Sequence, residues 1–535
     1  MPTIPEKIII EASRKKTLDE ATFDVIRRAH ASGAAEGPSS NVVLFAAYRK
    51  LLVAKKIQPH AALARIIIKR KVRTLSGIAA ITVLTPNGAC PGTCVFCPTE
   101  RGMPKSYLSN EPAVMRAIAN NFDPYLQVTS RLASLAAQGH ATDKIEIIVI
   151  GGTWSSIPHR FQEQFIARLY EALNKKGSMR KKTGASLASL QEYNRRHAIH
   201  KLVGLTLETR PDWVNEDEIK RMRTYGCTRV ELGVQSVYDD VLDMSQRGHH
   251  IDAVAHATAL LKNAGFKINY HMMPNLPGST PARDVAMFKT LFTDPRFQPD
   301  MLKIYPCVVV KNTPLYQMWK KGAYRPYTDG QLISLITKAK QYVPEYCRIV
   351  RVIRDIPAPS IEAGSTASNL RQIIHEKMKK EKVTCRCIRC REIKDTKLTT
   401  QNLQLKRIDY DASDGKEIFL SYEDAKNDKL VALLRLRIPS PDTRPLFPAL
   451  KNAALIREVH TYGEVVPLLK QKNYSRGKQH KGLGKKLLAE AERIAKKEFE
   501  MKKITVIAGA GVRGYYGKLG YTLKDTYMVK SLARI

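Results

Sequence analysis

The chain has 535 residues, too many for one hydrophobic core, and its 44% hydrophobic and 26% charged residues are a globular balance. No apolar run of about 18 residues occurs, which argues against a helical membrane span. "MPTIPEKIII" lacks the basic start and apolar stretch of a secretory signal, so a cytoplasmic protein is expected. Lys and Arg total 88 against 50 acidic residues, a net of +38 that favours a polyanionic partner, nucleic acid first.

Residues 1–75 read as a basic helical region. Between 37 and 74, nine Lys or Arg stand with no acidic residue, interleaved with apolar positions in "YRKLLVAKKI" and "LARIIIKRKVR". These are amphipathic helices with one basic face. Arg49, Lys50, Lys55, Lys56, Lys69, Arg70, Lys71 and Arg73 are the candidate phosphate contacts. A second tract, Lys175 to Lys201, holds eight Lys or Arg against Glu192 alone and reads as a loop, with Arg180, Lys181 and Lys182 at its centre. A single basic tract can be a solvated face; two separated tracts favour RNA or DNA without distinguishing them.

From residue 76 to 374 short apolar strands alternate with helices: "GIAAITVLT", "KIEIIVI", "KLVGLTLE", "RVELGVQ", "KINYHMM" and "MLKIYPCVVV", with helices such as "HRFQEQFIARLYEAL" between them. Repeated strand–helix units predict a parallel sheet, a complete or partial α/β barrel. Residues 375–400, "HEKMKKEKVTCRCIRCRE" onward, are Lys-rich and cysteine-bearing and read as a domain junction. Residues 401–535 carry a different, α+β pattern. No internal repeat is visible.

Nine cysteines, mostly clustered, suit metal ligation in a reducing compartment better than disulfides. Cys90, Cys94 and Cys97 in "CPGTCVFCP" follow the first strand with C-x3-C-x2-C spacing, at the C-terminal mouth of the expected barrel where catalytic groups gather. Three thiolates on a 4Fe–4S cluster leave one iron open; the alternative is a zinc site completed by a distant residue, although zinc usually takes C-x2-C pairs. This spacing resembles that of radical S-adenosylmethionine (SAM) enzymes, whose open iron chelates SAM. Gly151, Gly152 and Thr153 after "IIVI" resemble the SAM-binding Gly-Gly motif of that superfamily, although a plain turn also uses Gly.

Three strands carry polar residues at alternate positions, which places each set on one face. The sets are Thr206, Glu208 and Arg210; Glu231, Gly233 and Gln235; Lys267, Asn269 and His271. Lining a barrel lumen, they need partners or a ligand. Glu208, Gln235 and His271 are the candidate SAM contacts. Lys267 is a candidate catalytic group facing the lumen.

At the junction Cys385, Cys387 and Cys390 predict a zinc site, with Cys307 at a strand end as the expected fourth ligand. Further on, "QHKGLGKKLLAEAERIAKK" opens a helix with a Gly-rich turn whose N–H groups suit an anion. Gln479, His480, Lys481, Gly482, Leu483, Gly484 and Lys485 resemble the pyrophosphate loop of GNAT acetyltransferases, which bind acetyl-CoA. "YYGKLGY" is similar to the GNAT C-terminal half. Tyr515 or Tyr516 is a candidate acid near the thioester sulfur, and one of the two is expected in the core.

Basic helices, radical SAM barrel, cysteine junction and GNAT domain, in that order, resemble the Elongator catalytic subunit family in its prokaryotic single-chain form. "YLSNEPAVMRA", "LTLETRPDW", "LGVQSVYDDVL", "HMMPNLPGST", "RDIPAPSIEAG" and "GVRGYYGKLGY" carry the same resemblance. The three-residue first cysteine gap is shorter than the family's usual one and matches the superfamily standard. The resemblance implies formation of 5-carboxymethyluridine at the tRNA wobble position. A 5′-deoxyadenosyl radical from SAM would activate the acetyl methyl of acetyl-CoA for addition to uridine C5. It further implies a 4Fe–4S cluster, Zn²⁺, a tRNA held at its anticodon loop and an external electron donor. It is compatible with a homodimer. A protein lysine acetyltransferase with a structural cluster is the alternative.

Overall fold

The computed structural model describes residues 2–31, 39–68, 77–88, 90–174, 185–393, 402–462 and 482–532. Its N-terminal helices Ile4–Ser13, Glu20–Ala31, Asn41–Val53 and Ala61–Ile67 put their apolar positions together. Ile8, Phe23, Leu44, Leu51, Leu63 and Ile67 form a small core separate from the main one. Arg49, Lys50, Lys55 and Lys56 stay exposed on its outside.

The first sheet comprises β1 Ala79–Leu84, β2 Lys144–Ile150, β3 Lys201–Thr209, β4 Arg229–Gln235, β5 Lys267–Met272, β6 Met301–Ile304 and β8 Arg348–Arg351, paired in that order. All pairs are parallel, giving the expected half-barrel. Alternation sets its two faces. On β2, Ile145, Ile147 and Val149 are buried toward the outer helices, where Val128, Phe165, Ile166 and Leu169 meet them. Glu146 and its neighbours face inward. A ribbon of β7 Val309–Val310 and β9 Ile361–Ala363 pairs antiparallel after the sixth strand.

The second sheet runs β10 Leu403–Asp411, β11 Gly415–Asp424, β12 Lys429–Pro439, β13 Ala453–Thr461, β14 Lys503–Val506, β16 Tyr527–Ser531 and β15 Thr522–Lys524. β13 and β14 pair in parallel only from Ala453 to Ile456. Beyond Ile456 they diverge, and β13 carries a bulge opposite Arg435 and Leu436. The divergence opens a wedge. Helix Leu483–Lys497 stands over it, with Leu487, Leu488, Ala491 and Ile494 buried.

The two sheets share one core and are clamped together. Gly509 and Gly511 press their backbone onto β3: a Cβ at Gly509 would lie 2.4 Å from the Val203 carbonyl oxygen, and one at Gly511 would lie 2.7 Å from the Leu202 nitrogen. Beside this contact Arg457 makes a paired bridge to Asp300, at 2.5 and 2.8 Å, with both side chains fully buried. Arg437 joins Glu417 at 3.1 Å and Asn263 at 2.6 Å.

Three features differ from the sequence reading. The expected boundary at 374/375 falls inside helix Leu370–Lys380, whose Leu370, Ile374 and Met378 pack into the main core. Helix Leu187–Arg196 occupies part of the expected basic loop, with Glu192 bonded to Arg195 and Arg196. β8, four residues with a half-exposed pattern, was not anticipated. No helix among the described residues is long and apolar enough to cross a membrane.

Candidate active site

The half-barrel has two functional ends. At its C-terminal mouth the loop after β1 carries Cys90, Cys94 and Cys97, free thiols of which Cys94 is buried. Cys90 Sγ lies 3.4 Å from Thr153 Oγ1, and Arg247 Nη1 donates to Cys94 Sγ at 3.1 Å. The Cys97 hydrogen bond, with Arg247 and Arg210 adding to it against burial, pulls the Cys94 thiol down to about 5. Thiolates offset by two guanidiniums suit a cluster's negative charge. Gly151 and Gly152 have φ of +133° and +105°, and a Cβ on Gly151 would collide with Thr85 Oγ1 at 2.0 Å. A Cβ on Gly152 would meet nothing nearer than 3.9 Å, so a ledge stays open beside Cys90. Gln235 Oε1, His249 Nε2 and the Nε of Arg247, the residue that bonds Cys94, are buried with no hydrogen-bond partner among the described residues. Burial and the Arg247 charge push His249 down to about 4. Such orphaned donors and acceptors need a polar ligand. The donor set fits a 4Fe–4S cluster and SAM.

Below this mouth the lumen is a charged ladder. Glu231 accepts from His271 Nε2 at 2.8 Å, from Asn269 Nδ2 at 3.1 Å and from Lys303. Burial opposes its ionisation, but Lys303, His271 and Arg229 outweigh burial and hold the carboxyl well below its usual range. His271 Nδ1 lies 3.5 Å from Glu208, which accepts from Tyr107 at 3.3 Å. Arg229 bridges to Glu146 at 2.7 Å. Thus Glu208 and His271 face the lumen as expected, but they are already engaged. Thr206 Oγ1, Asn269 Oδ1 and Arg229 Nε have no hydrogen-bond partner among the described residues.

At the opposite, N-terminal end a cavity of about 520 Å³ lies in the seam between the domains. The barrel contributes Lys144, Glu146, Gly204, Thr228 and Lys267; the wedge between β13 and β14 contributes Glu458, His460, Gly482, Gly484 and Tyr515. Lys267 Nζ donates to Glu458 Oε1 at 3.2 Å across the seam. Arg435 donates to the other oxygen at 2.9 Å. Gly482 caps helix Leu483–Lys497 at φ +97°, a conformation glycine adopts without strain, leaving the helix's first N–H groups at the cavity rim. Gly484 leaves space under the Tyr515 hydroxyl, which a Cβ would approach to 3.6 Å. Tyr515 is 41% exposed whereas Tyr516 is buried, so Tyr516 is the core aromatic of the pair. Leu483 is also buried, so only its backbone is available, while Lys485 is exposed. Gln479, His480, Lys481, Lys69, Arg70, Lys71, Arg73, Arg180, Lys181 and Lys182 lie outside the described residues.

The junction cysteines converge as expected, but their partner does not. The sulfurs of Cys385, Cys387 and Cys390 lie within 4.8 Å of one another. Cys307 is elsewhere, buried with Cys94, Val95 and Leu315 at the C-terminal mouth, with its thiol against Tyr324. The trio sits at the other end, where Ile388 N donates to the Cys347 carbonyl ahead of β8. His375 Nε2 stands 3.9 Å from Cys390 Sγ. Sequence reasoning also passed over Arg247, Lys303, Glu458 and His460. Arg229 could have been found, because it continues the Glu231 and Gly233 alternation backward.

The fold and the three-cysteine mouth define a radical SAM protein. Residues 84–291 match the model of the Radical SAM superfamily, and residues 299–380 that of the Radical_SAM C-terminal domain. That superfamily implies SAM and a 4Fe–4S cluster. Over 99% of its length the chain is 43% identical to the tRNA uridine(34) acetyltransferase of Methanocaldococcus jannaschii, covering 98% of that protein. It is 40% identical to Elongator complex protein 3 of Homo sapiens, over 91% of this chain and 88% of that one. A solved structure of Methanocaldococcus infernus Elp3 with an N-terminal deletion matches at a TM-score of 0.74 and 42% identity, over 85% of this chain and 99% of that chain. The chain belongs to the Elongator complex protein 3 family of tRNA uridine(34) acetyltransferases.

Proposed function

We propose that this protein forms 5-carboxymethyluridine at the wobble uridine of tRNA in the cytoplasm, taking the new group from the acetyl of acetyl-CoA and releasing CoA. The seam cavity carries this reading. It joins a helix N-terminus suited to a pyrophosphate with a barrel whose far mouth holds three cysteines. Cys90, Cys94 and Cys97 would hold a 4Fe–4S cluster, and with it bound SAM would supply the radical chemistry that an unactivated acetyl methyl and uridine C5 both require.

The chain's own residues bind and orient. Backbone N–H groups at Gly482 to Lys485 hold the pyrophosphate, and Lys267, set by Glu458, faces the acyl end. Tyr515 places its phenol over the same space. Gly151, Gly152, Thr153 and Gln235 shape the SAM ledge. Arg49, Lys50, Lys55 and Lys56 hold the phosphate backbone without reading sequence, and an unstacked loop nucleotide enters the barrel. Cys385, Cys387 and Cys390 would hold a zinc ion, which would tie the junction together.

The test uses anaerobically reconstituted protein with SAM, a strong reductant, methyl-labelled acetyl-CoA and unmodified tRNA. Labelled 5-carboxymethyluridine, absent with Cys94→Ala, is the expected outcome. Acetylated lysines with unlabelled tRNA would overturn it in favour of protein acetylation.

A further inference from the structure

His460 is left over by the reading above. It lies on β13 beyond Ile456, the last residue that pairs with β14, and lines the seam cavity with Glu458 and Lys267. Its ring packs on Tyr462 at a centroid distance of 4.3 Å. Nε2 is shielded from solvent and has no hydrogen-bond partner among the described residues. Burial, reinforced by Arg348, Lys267 and Lys144 against the opposing Glu458, pushes the imidazole down to about 4, so it is uncharged at neutral pH. An unpaired buried nitrogen costs stability unless a ligand or water meets it.

The two carboxylates that line this space are both ion-paired, Glu146 with Arg229 at 2.7 Å. Glu458 is shared between Lys267 and Arg435. Burial raises the phenols of Tyr515 and Tyr516 and keeps both protonated. Once the new carbon–carbon bond is made, a CoA thioester remains to be cleaved by water, and that step needs a proton acceptor.

We propose that His460 is the catalytic base of thioester cleavage; this rests on the proposed carboxymethyl transfer. Nε2 takes a proton from water as the water oxygen bonds to the thioester carbonyl carbon. The C–S bond then breaks, and the proton passes from Nε2 to the departing CoA thiolate. The products are the carboxylic acid on the uridine and free CoA, with no oxidant or reductant consumed.

The experiment compares wild type with His460→Gln and His460→Ala in the labelled reaction. It reads free CoA thiol, the mass of the labelled nucleoside and the affinity for a non-hydrolysable CoA thioether. In His460→Gln, thiol release should fall by about 10²-fold or more. Label should then accumulate on tRNA as the uncleaved CoA adduct, and thioether affinity should stay unchanged. Imidazole should restore release in His460→Ala. Wild-type release by His460→Gln, or loss of thioether binding in both variants, overturns the assignment. Absence of label in the wild-type reaction instead overturns the function on which it rests.

Discussion

Lys267 of the half-barrel and Glu458 of the C-terminal sheet meet at 3.2 Å across the seam cavity. They come from sequence positions far apart, yet one ion pair forms the floor on which a ligand from either side would rest. Lys267 also holds the Glu458 carboxyl below its usual range, against burial and together with Arg435.

Replacing Lys267 by Met keeps much of the stem and removes the charge. Labelled carboxymethyluridine formation should fall about 10²-fold, the scale of a lost electrostatic contact to a reacting group. The affinities for SAM and a CoA thioether should persist, because Arg435 still pairs Glu458. Full activity in Lys267→Met would remove Lys267 from the catalytic set.

Asp300 accepts two of the Arg457 hydrogen bonds from inside the seam. Asp300→Asn leaves the buried Arg457 with Glu417 alone and the buried Arg435 with Glu458 alone. Breaking a buried pair from one side costs about 3–5 kcal/mol. Calorimetry should give a single cooperative transition for the wild-type seam and an earlier, broadened one for the variant. An unchanged transition would mean the bridge contributes nothing to domain coupling.

The two cysteine sites should separate by metal analysis. Cys387→Ser should lose zinc and keep iron, whereas Cys94→Ala should lose iron and keep zinc. Cys307→Ser should keep both, since its thiol is buried against Tyr324 away from the trio. Zinc loss from Cys307→Ser would reinstate it as a ligand.

Stability should also depend on pH through His460. Its folded value, about 4, lies below the 6.5 of an unperturbed imidazole. The unfolded chain therefore binds the proton first, and the contribution is complete above 6.5 and lost as pH falls toward 4. A shift of this size corresponds to roughly 3 kcal/mol. Denaturant titrations at pH 7 and pH 4.5 should show a smaller loss in His460→Gln than in wild type. Equal losses would place the imidazole in contact with solvent.

Much of this architecture was written in local pattern. Period-two alternation marked β3 to β5 and their lumen faces, and the cysteine spacings marked both clusters of thiols. What local pattern lacks is which end of a strand a residue occupies once the chain has folded. Cys307 and the Cys385 trio both border the barrel sheet, but at opposite mouths, which only the three-dimensional register reveals. Likewise Lys267 does face inward, as alternation implied, but at the N-terminal end, where a second domain supplies its partner. Asp300, Arg435 and Arg457 read singly as ordinary surface charges, because their pairing spans 135 and 157 residues. His460 followed no motif, and its Nε2 lacks a hydrogen-bond partner among the described residues at a point where β13 has parted from β14.

The glycine contact at Gly509 and Gly511 has a kinetic consequence. With no side chains between the two backbones and buried charges beside them, the domains cannot hinge apart at ordinary cost. A ligand in the seam must therefore load and leave along the splay of β13 and β14. Its exchange rate should follow the local motions of that edge and stay indifferent to viscosity-limited swings of whole domains.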